Sequence, residues 1–71
     1  MAAPISVRLG RRLASLRAEK GWNQAYLSEL AGVGRAHLSQ IENGSVMVRI
    51  DTLEALANSL EITLSALFRN I

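Results

Sequence analysis

The segment from Gly21 to Gly44 constrains the fold more than any other part of the chain, because glycines punctuate two short helical patterns within it. Asn23 is a typical N-cap residue, and it predicts a helix that begins at Gln24 and continues to Ala31. Helices this short are unstable in isolation, since most of their stability comes from packing an apolar face against other elements. The segment therefore predicts two helices that are docked onto the rest of the chain.

The turn between these helices is Gly32–Gly34, a Gly-Val-Gly run whose glycines are free to take a positive φ. The second helix is predicted from about Arg35 to Asn43. Its apolar residues Leu38 and Ile41 are three positions apart and therefore share one face of the helix. This pattern predicts a helix, a tight turn and a second helix.

A helix is also predicted before this segment. Ser6 is a plausible N-cap, and the apolar residues Leu9, Leu13 and Leu16 follow at helical spacing, with Gly21 as the stop.

Two more helices are predicted after the segment, one from Ile50 to about Leu60 and a short one capped by Thr63. The residues expected to be buried in the longer helix recur at helical spacing and are Ile50, Leu53, Leu56, Ala57 and Leu60, and the short helix carries Leu64, Leu67 and Phe68. No alternation typical of a strand is present. The sequence predicts an all-α fold of five helices, in one domain over residues 1–71 with its core from about residue 6 to residue 69.

Composition excludes several ways of stabilising a chain of 71 residues. There is no cysteine and only one histidine, His37, so neither a disulfide framework nor a metal site is expected. No apolar run approaches the roughly 20 residues of a membrane span, and the N-terminal residues lack the features of a secretory signal. We expect a cytoplasmic protein without cofactor or metal, whose core consists of ordinary apolar packing.

The charge is small but unevenly distributed. Residues 1–44 contain six Lys and Arg against three acidic residues, whereas residues 45–71 contain two against three. Such a distribution suits a protein that presents one face to a polyanion, although a chance asymmetry of the surface remains the alternative. A helix-turn-helix whose second helix opens with an arginine is also a common way to place side chains in the DNA major groove.

The spacing of marked residues along almost the whole chain resembles the lambda-repressor-like domain of the Cro/C1 type, the XRE family. The residues that carry the resemblance keep the family spacing without gaps and are Leu9-Gly10, Leu13, Leu16-Arg17, Gly21, Gln24, Leu27, Gly32-Val33, Leu38-Ser39, Ile41-Glu42, Gly44, Asp51-Thr52-Leu53, Leu64 and Leu67-Phe68. Small stand-alone members include phage Cro and repressor domains and the controller proteins of restriction-modification operons. The resemblance implies a compact five-helix regulator of bacterial or phage origin that binds double-stranded DNA.

The resemblance also implies which residues contact base edges, namely Arg35, Ala36 and Gln40 on the second helix of the motif. Chemistry agrees, because arginine can donate two hydrogen bonds to guanine and glutamine can pair in the same way with adenine. Ala36 offers a methyl group suited to contact with thymine. For Arg35 and Gln40 the alternative is a solvated helix residue.

Contacts to the DNA backbone are implied for a second set of polar residues, which are Asn23, Gln24, His37, Ser39, Asn43, Ser45 and Arg12. For His37 the alternative is a surface imidazole that makes no contact with DNA. For Arg12 the alternative is the solvated face of the first helix, which it shares with Arg8 and Arg11. The resemblance further implies that Arg17 and Glu42 form an ion pair that links two helices.

The apolar run Val46–Val48 is unusual in a loop, and it suggests contact with another surface. We expect a dimer interface at Met47 and Val48 together with three residues near the C-terminus, Leu64, Phe68 and Ile71. The alternative is that the loop packs onto its own domain.

The sequence thus predicts a transcriptional regulator that binds a pseudo-palindromic operator as a homodimer. RNA polymerase is a further candidate partner, through Glu29 and its neighbours. The alternative is an antitoxin-like protein that binds a toxin and represses its own operon, but few residues remain after the fifth helix to form a toxin-binding extension. No catalytic constellation and no second domain for an effector are visible, so neither an enzyme nor a small-molecule sensor is expected.

Overall fold

Five α-helices in sequence order make up the fold, and the computed structural model describes residues 3–71. The helices are α1 (Ile5–Glu19), α2 (Gln24–Ala31), α3 (Arg35–Asn43), α4 (Ile50–Ser59) and α5 (Leu64–Leu67). Residues 3–71 contain no strand. The prediction of an all-α, five-helix fold is confirmed.

Two of the predicted N-caps form the expected hydrogen bonds. The Asn23 side chain accepts a bond of 2.8 Å from the backbone N–H of Tyr26 at the start of α2. The Thr63 hydroxyl accepts one of 3.0 Å from the backbone N–H of Ala66 in α5. Each cap satisfies an N–H group that the first turn of a helix leaves without an intrahelical partner.

The predicted N-cap of α1 is wrong. The helix begins at Ile5, so Ser6 is already helical and Pro4 occupies the cap position. The Pro4 carbonyl group accepts hydrogen bonds from the backbone N–H groups of Val7 and Arg8, at 3.0 and 3.1 Å. Proline fits there because its fixed φ suits the entry to a helix and its missing N–H is not needed before the first turn.

The core consists of apolar side chains from all five helices and from the residue after α4. Its buried members are Leu9, Leu13, Leu27, Leu38, Ile41, Leu53, Leu56, Ala57, Leu60 and Leu67. The prediction that Ile50 is buried is wrong, because this side chain is 66% exposed. Ile50 is the first residue of α4, and the buried stripe of that helix begins one turn later.

α1 and α3 pack against each other at very short range. A Cβ atom on Gly10 would lie 2.4 Å from the carbonyl oxygen of Ile41 and 2.6 Å from that of Glu42, so only glycine fits. Gly44 ends α3 with φ +72°, and a Cβ there would lie 2.6 Å from Cα of Val7. These two glycines fix the position of α3 on α1.

The two glycines of the turn between α2 and α3 have different roles. Gly32 takes the left-handed conformation that ends α2, with φ +69°. Gly34, however, has φ −56° and serves as the N-cap of α3 without a side chain to accept a hydrogen bond. Only the first of the two glycines therefore needs a positive φ.

None of the helices within residues 3–71 has the length and apolar character needed to cross a bilayer.

Candidate nucleic-acid interface

The outward face of α3 carries the side chains predicted to contact base edges. Arg35, Ala36 and Gln40 are all exposed, while Leu38 and Ile41 on the other side of the helix are buried. With about 100° of rotation per residue, Ala36 and Gln40 lie within about 40° of each other. Among residues 3–71, the side chains of Arg35 and Gln40 have no hydrogen-bond partner, so their donors remain available.

The other polar residues predicted on and after α3 extend this face. Asn43 is exposed on the last turn, whereas His37 and Ser39 are half-buried. The backbone N–H of Ser45 donates to the carbonyl oxygen of Gln40 at 3.1 Å, and its hydroxyl group donates to the same oxygen at 3.2 Å. The C-terminal cap of α3 therefore fixes the position of Ser45 next to this face.

The N-terminus of α2 is tied to α3 by a side-chain hydrogen bond. Nε2 of Gln24 donates to Oε1 of Glu42 at 2.9 Å. An amide nitrogen has two hydrogens, so the second donor of Gln24 remains for a phosphate. The helix N-terminus, with its exposed N–H groups, also favours an anion near Asn23 and Gln24.

The predicted ion pair between Arg17 and Glu42 is present and bidentate. Nε of Arg17 donates to Oε2 of Glu42 at 2.8 Å, and the terminal NH2 nitrogen of Arg17 donates to Oε1 at 2.9 Å. The remaining terminal nitrogen donates to the carbonyl oxygen of Trp22 at 2.7 Å. One guanidinium group thus connects α1, α3 and the loop before α2.

Burial makes this pair significant for stability. The side chains of Arg17 and Glu42 are only 18% and 5% exposed. The hydrogen bond from Arg17 to the Glu42 carboxylate raises the pKa of Arg17 above its ordinary value, against the opposing effect of desolvation. Arg17 is therefore charged at neutral pH and gives the Glu42 carboxylate a charged partner.

Sequence reasoning missed that Glu42 serves two partners. It assigned Gln24 to DNA and Glu42 to Arg17, without a contact between Gln24 and Glu42. In the structure Oε1 of Glu42 accepts from both Gln24 and Arg17. The sequence offers no signal for this contact, because residues 24 and 42 meet only once α2 and α3 are packed.

Arg12 lies apart from the other residues that were predicted to contact the DNA backbone. Its guanidinium group donates to the carbonyl oxygens of Ala66 and Leu67 at the end of α5, at 2.9 and 3.3 Å. Contact between Arg12 and DNA stays a prediction, and the structure adds a role in holding α5 against α1.

The apolar residues of the loop before α4 differ in their burial. Val46 and Val48 are half-buried and pack against the core, as do Leu64, Phe68 and Ile71. Met47 is instead 93% exposed. The alternative interpretation, that the loop packs onto its own domain, describes the two valines but not the methionine between them.

The residues 3–71 contain no group of three or more His, Cys, Asp or Glu side chains that could hold a metal ion. What the geometry brings together is a helix with exposed polar and basic side chains, braced by a preceding helix whose N-terminus lies beside it. This arrangement defines the helix-turn-helix class of DNA-binding proteins.

Comparison with known proteins supports this assignment. A family model described as helix-turn-helix matches residues 13–67. The chain is 38% identical over 68 residues to the control protein C.MunI of a Mycoplasma species, an alignment that covers 94% of this chain and 92% of that protein. The chain belongs to the helix-turn-helix family, and the resemblance to XRE-type regulators is confirmed. It is a DNA-binding transcriptional regulator of this type.

Two further similarities come from a phage protein and a solved structure. The immunity repressor protein of Bacillus phage phi105 is 36% identical over 59 residues, which cover 83% of this chain but only 41% of the repressor. The crystal structure of the restriction-modification controller protein C.AhdI from Aeromonas hydrophila superposes with a TM-score of 0.87 at 35% identity, covering 89% of this chain and 96% of that one. The chain thus matches the length of the controller proteins and spans about two fifths of the phage repressor.

Proposed function

We propose that this protein regulates transcription as a homodimer bound to a pseudo-palindromic operator, with α3 of each protomer in the major groove. The observation that carries the proposal is the exposed face of α3, where Arg35 and Gln40 present donors that have no partner within residues 3–71. In such a dimer the two recognition helices enter the groove about 34 Å apart, one turn of DNA.

In this proposal the phosphate contacts come from both ends of the motif. Gln24 donates its second amide hydrogen to a phosphate while the first is held by Glu42. Asn43 and Ser45 form a clamp at the C-terminal end of α3, and His37 and Ser39 contribute from its flanks. These contacts set the register of the protein on DNA without selecting a sequence.

The proposed dimer interface lies around Met47. Leu64, Phe68 and Ile71 are half-buried, so each keeps part of its surface for a partner. Ile50, whose exposure differs from the prediction, lines a shallow depression together with Leu64 and the acidic residues Asp51 and Glu54. Exposed apolar side chains such as Met47 and Ile50 are typical of an interface between protein chains.

Selection of bound duplexes from a random DNA pool tests the proposal. The expected result is an enriched sequence with two-fold symmetry, whose half-sites are separated by about one helical turn. The matched control is Arg35→Ala/Gln40→Ala, which removes the base-contacting side chains and is expected to enrich no sequence. If the wild-type protein enriches no sequence at low salt, sequence-specific binding is overturned. If it enriches a single asymmetric half-site, the dimer is overturned.

A further inference from the structure

Four arginine side chains converge on the surface of α1 that faces the end of α5. Arg8, Arg11, Arg12 and Arg69 line one shallow depression there, and we refer to them as the arginine cluster. None of the residues that line this depression is Asp or Glu. Of these four residues only Arg12 was predicted to contact DNA.

Two members of the arginine cluster are fixed by backbone oxygens. Arg12 donates to the carbonyl groups of Ala66 and Leu67 at the end of α5, and the Ala66 oxygen also accepts from the backbone N–H of Arg69 at 3.2 Å. Arg8 donates through Nε to the oxygen of Ala3 at 2.8 Å and through a terminal nitrogen to that of Ile71. A guanidinium group has five N–H donors, so about three remain on each of these side chains.

The charge of the arginine cluster is not compensated by acidic side chains. Within residues 3–71 the ion pairs are Arg17 with Glu42, Lys20 with Glu61 and Arg49 with Asp51, and none includes the cluster. Arg11 and Arg69 are exposed, and their guanidinium groups donate no hydrogen bond in this part of the chain. Like charges held close together repel each other, and a polyanion that binds there relieves this repulsion.

Two members of the arginine cluster, Arg8 and Arg12, face away from α3. Gly10 marks the side of α1 that touches α3, because a Cβ there would meet the carbonyl oxygens of Ile41 and Glu42. Arg8 and Arg12 lie two positions before and after Gly10, so each is rotated by about 160° from it around the helix axis. Arg11, one position after Gly10, is rotated by about 100° and lies on the flank of α1. α1 therefore separates Arg8 and Arg12 from the recognition helix, with Arg11 at the edge of this surface.

From these observations we infer that the arginine cluster is a second DNA-binding surface, which contacts the phosphodiester backbone of duplex DNA on the side of the protein opposite α3. The contacted phosphates belong either to a second duplex or to operator flanks that bend around the protein. Guanidinium groups suit phosphate oxygens because their planar donors pair with two oxygens at once. No aromatic side chain lines the depression, so a stacked single strand is a poorer fit than a duplex.

The test uses variants that remove charge without removing the contacts that hold α5. Arg11→Gln/Arg69→Gln neutralises the two members whose side chains donate no hydrogen bond within residues 3–71. The matched control, Lys20→Gln/Arg49→Gln, removes two positive charges elsewhere on the surface. Both pairs are also made in an Arg35→Ala/Gln40→Ala background, so that the result does not depend on sequence-specific binding by α3. Circular dichroism checks that every variant is folded.

The affinity for a duplex of random sequence is then measured by fluorescence anisotropy over a range of salt concentrations. In the double background we expect Arg11→Gln/Arg69→Gln to lower the affinity by at least tenfold and to reduce the slope of log K against log salt by about 2, one unit for each lost phosphate contact. The Lys20→Gln/Arg49→Gln control is expected to change the affinity by less than about threefold, as a loss of net charge alone would. Equal effects of the two pairs would overturn the inference.

A bridging experiment separates the two sources of phosphate. Immobilised operator that carries bound protein is mixed with a second, labelled duplex, and the captured label is counted. If the wild-type protein captures the label and Arg11→Gln/Arg69→Gln does not, the arginine cluster binds a second duplex. If no label is captured, the variant is compared on two operators, one with long flanks and one trimmed to its half-sites. A loss of affinity for the long operator alone assigns the arginine cluster to the flanks. Unchanged DNA affinity together with weakened self-association would assign the cluster to contacts between copies and overturn the inference.

Discussion

Gly10 on α1 lies directly against the backbone of Ile41 on α3, and a Cβ atom at residue 10 would approach the carbonyl oxygen of Ile41 to 2.4 Å. This contact brings two helix backbones together without intervening side chains. It sets the orientation of α3, and with it the direction in which Arg35, Ala36 and Gln40 point.

We expect Gly10→Ala to destabilise the fold by about 2 kcal/mol or more, because the two helices must separate to admit the methyl group. In an ordinary helix the same change would stabilise by about 1 kcal/mol. Denaturation by urea, followed by circular dichroism, measures the difference. Gly32→Ala is the matched control, since open space surrounds residue 32 and only its φ of +69° opposes alanine, at about 1 to 2 kcal/mol. An unchanged or higher stability of Gly10→Ala would contradict the close contact.

Arg17→Met is expected to cost about 3 to 5 kcal/mol, because it leaves the Glu42 carboxylate buried without its charged partner. The double variant Arg17→Met/Glu42→Leu should recover part of this loss, since it removes the buried charge as well. Lys20→Met is the control on the same helix. Lys20 approaches Glu61 only to 4.0 Å at the surface, and the loss there should stay below about 1 kcal/mol. Thermal unfolding of the wild type and the three variants at one pH measures these differences in stability.

Arg35→Ala and Gln24→Ala are expected to differ in what they do to specificity. Loss of a bidentate base contact at Arg35 should cost about 1 to 3 kcal/mol on the operator, relax one base position and leave binding to random DNA almost unchanged. Loss of a phosphate contact at Gln24 should weaken binding to every sequence by a similar factor. Titrations with operator and random duplexes at one salt concentration compare the two. Equal losses on both DNAs for Arg35→Ala would contradict its assignment to a base edge.

Met47→Asp is expected to shift the protein towards the monomer, because it places a charge in the proposed apolar interface. Leu30→Asp serves as the control, since Leu30 is also an exposed apolar residue but lies on α2. Sedimentation velocity over a range of micromolar concentrations measures the association. A wild-type protein that stays monomeric throughout, or a dimer that Met47→Asp leaves unchanged, would rule out this interface.

Asp51 provides a prediction about pH. Its carboxylate accepts two hydrogen bonds from Arg49, at 3.1 and 3.3 Å, and these lower the pKa of Asp51 from its ordinary value of 3.8. The ionised form therefore favours the folded state above pH 3.8, and this contribution is lost as the pH falls through the lowered pKa. A titration of the Asp51 carboxyl carbon by NMR should show a return towards 3.8 in Arg49→Gln. An identical pKa in both proteins would exclude Arg49 as the cause.

Local signals in the sequence were sufficient for most of the fold. Asn23 and Thr63 cap helices where their hydrogen-bonding side chains predict it, and Gly32 and Gly44 end helices in the left-handed conformation that glycine tolerates. These features depend on residues a few positions apart. They are therefore visible before any tertiary contact is known.

Features that depend on packing could not be predicted from spacing alone. Ser6 and Pro4 are both acceptable helix starts, and the apolar spacing does not distinguish between them. Ile50 continues the apolar spacing of α4 but lies beyond the edge of the core. Gly10 did carry a signal, because a glycine inside a helix is unfavourable unless another backbone lies close by.

The candidate site also contains features that the sequence predicts and contacts that depend on packing. The exposure of Arg35 and Gln40 follows from helical periodicity, and the pair of Arg17 with Glu42 followed from the family resemblance. The hydrogen bond between Gln24 and Glu42 and the contacts of Arg12 with α5 join residues that are distant in sequence. Only the assembled helices bring these groups together.

The two contacts of Arg8 have a topological consequence. Its guanidinium group reaches backbone oxygens of both Ala3 and Ile71, so residues 3 and 71 lie within the span of one side chain. A short flexible peptide that joined residue 71 to residue 3 would therefore close the described part of the chain into a ring without moving any helix. Ring closure reduces the entropy of the unfolded chain and leaves the native contacts in place, so a cyclised protein would unfold at a higher temperature than the linear one.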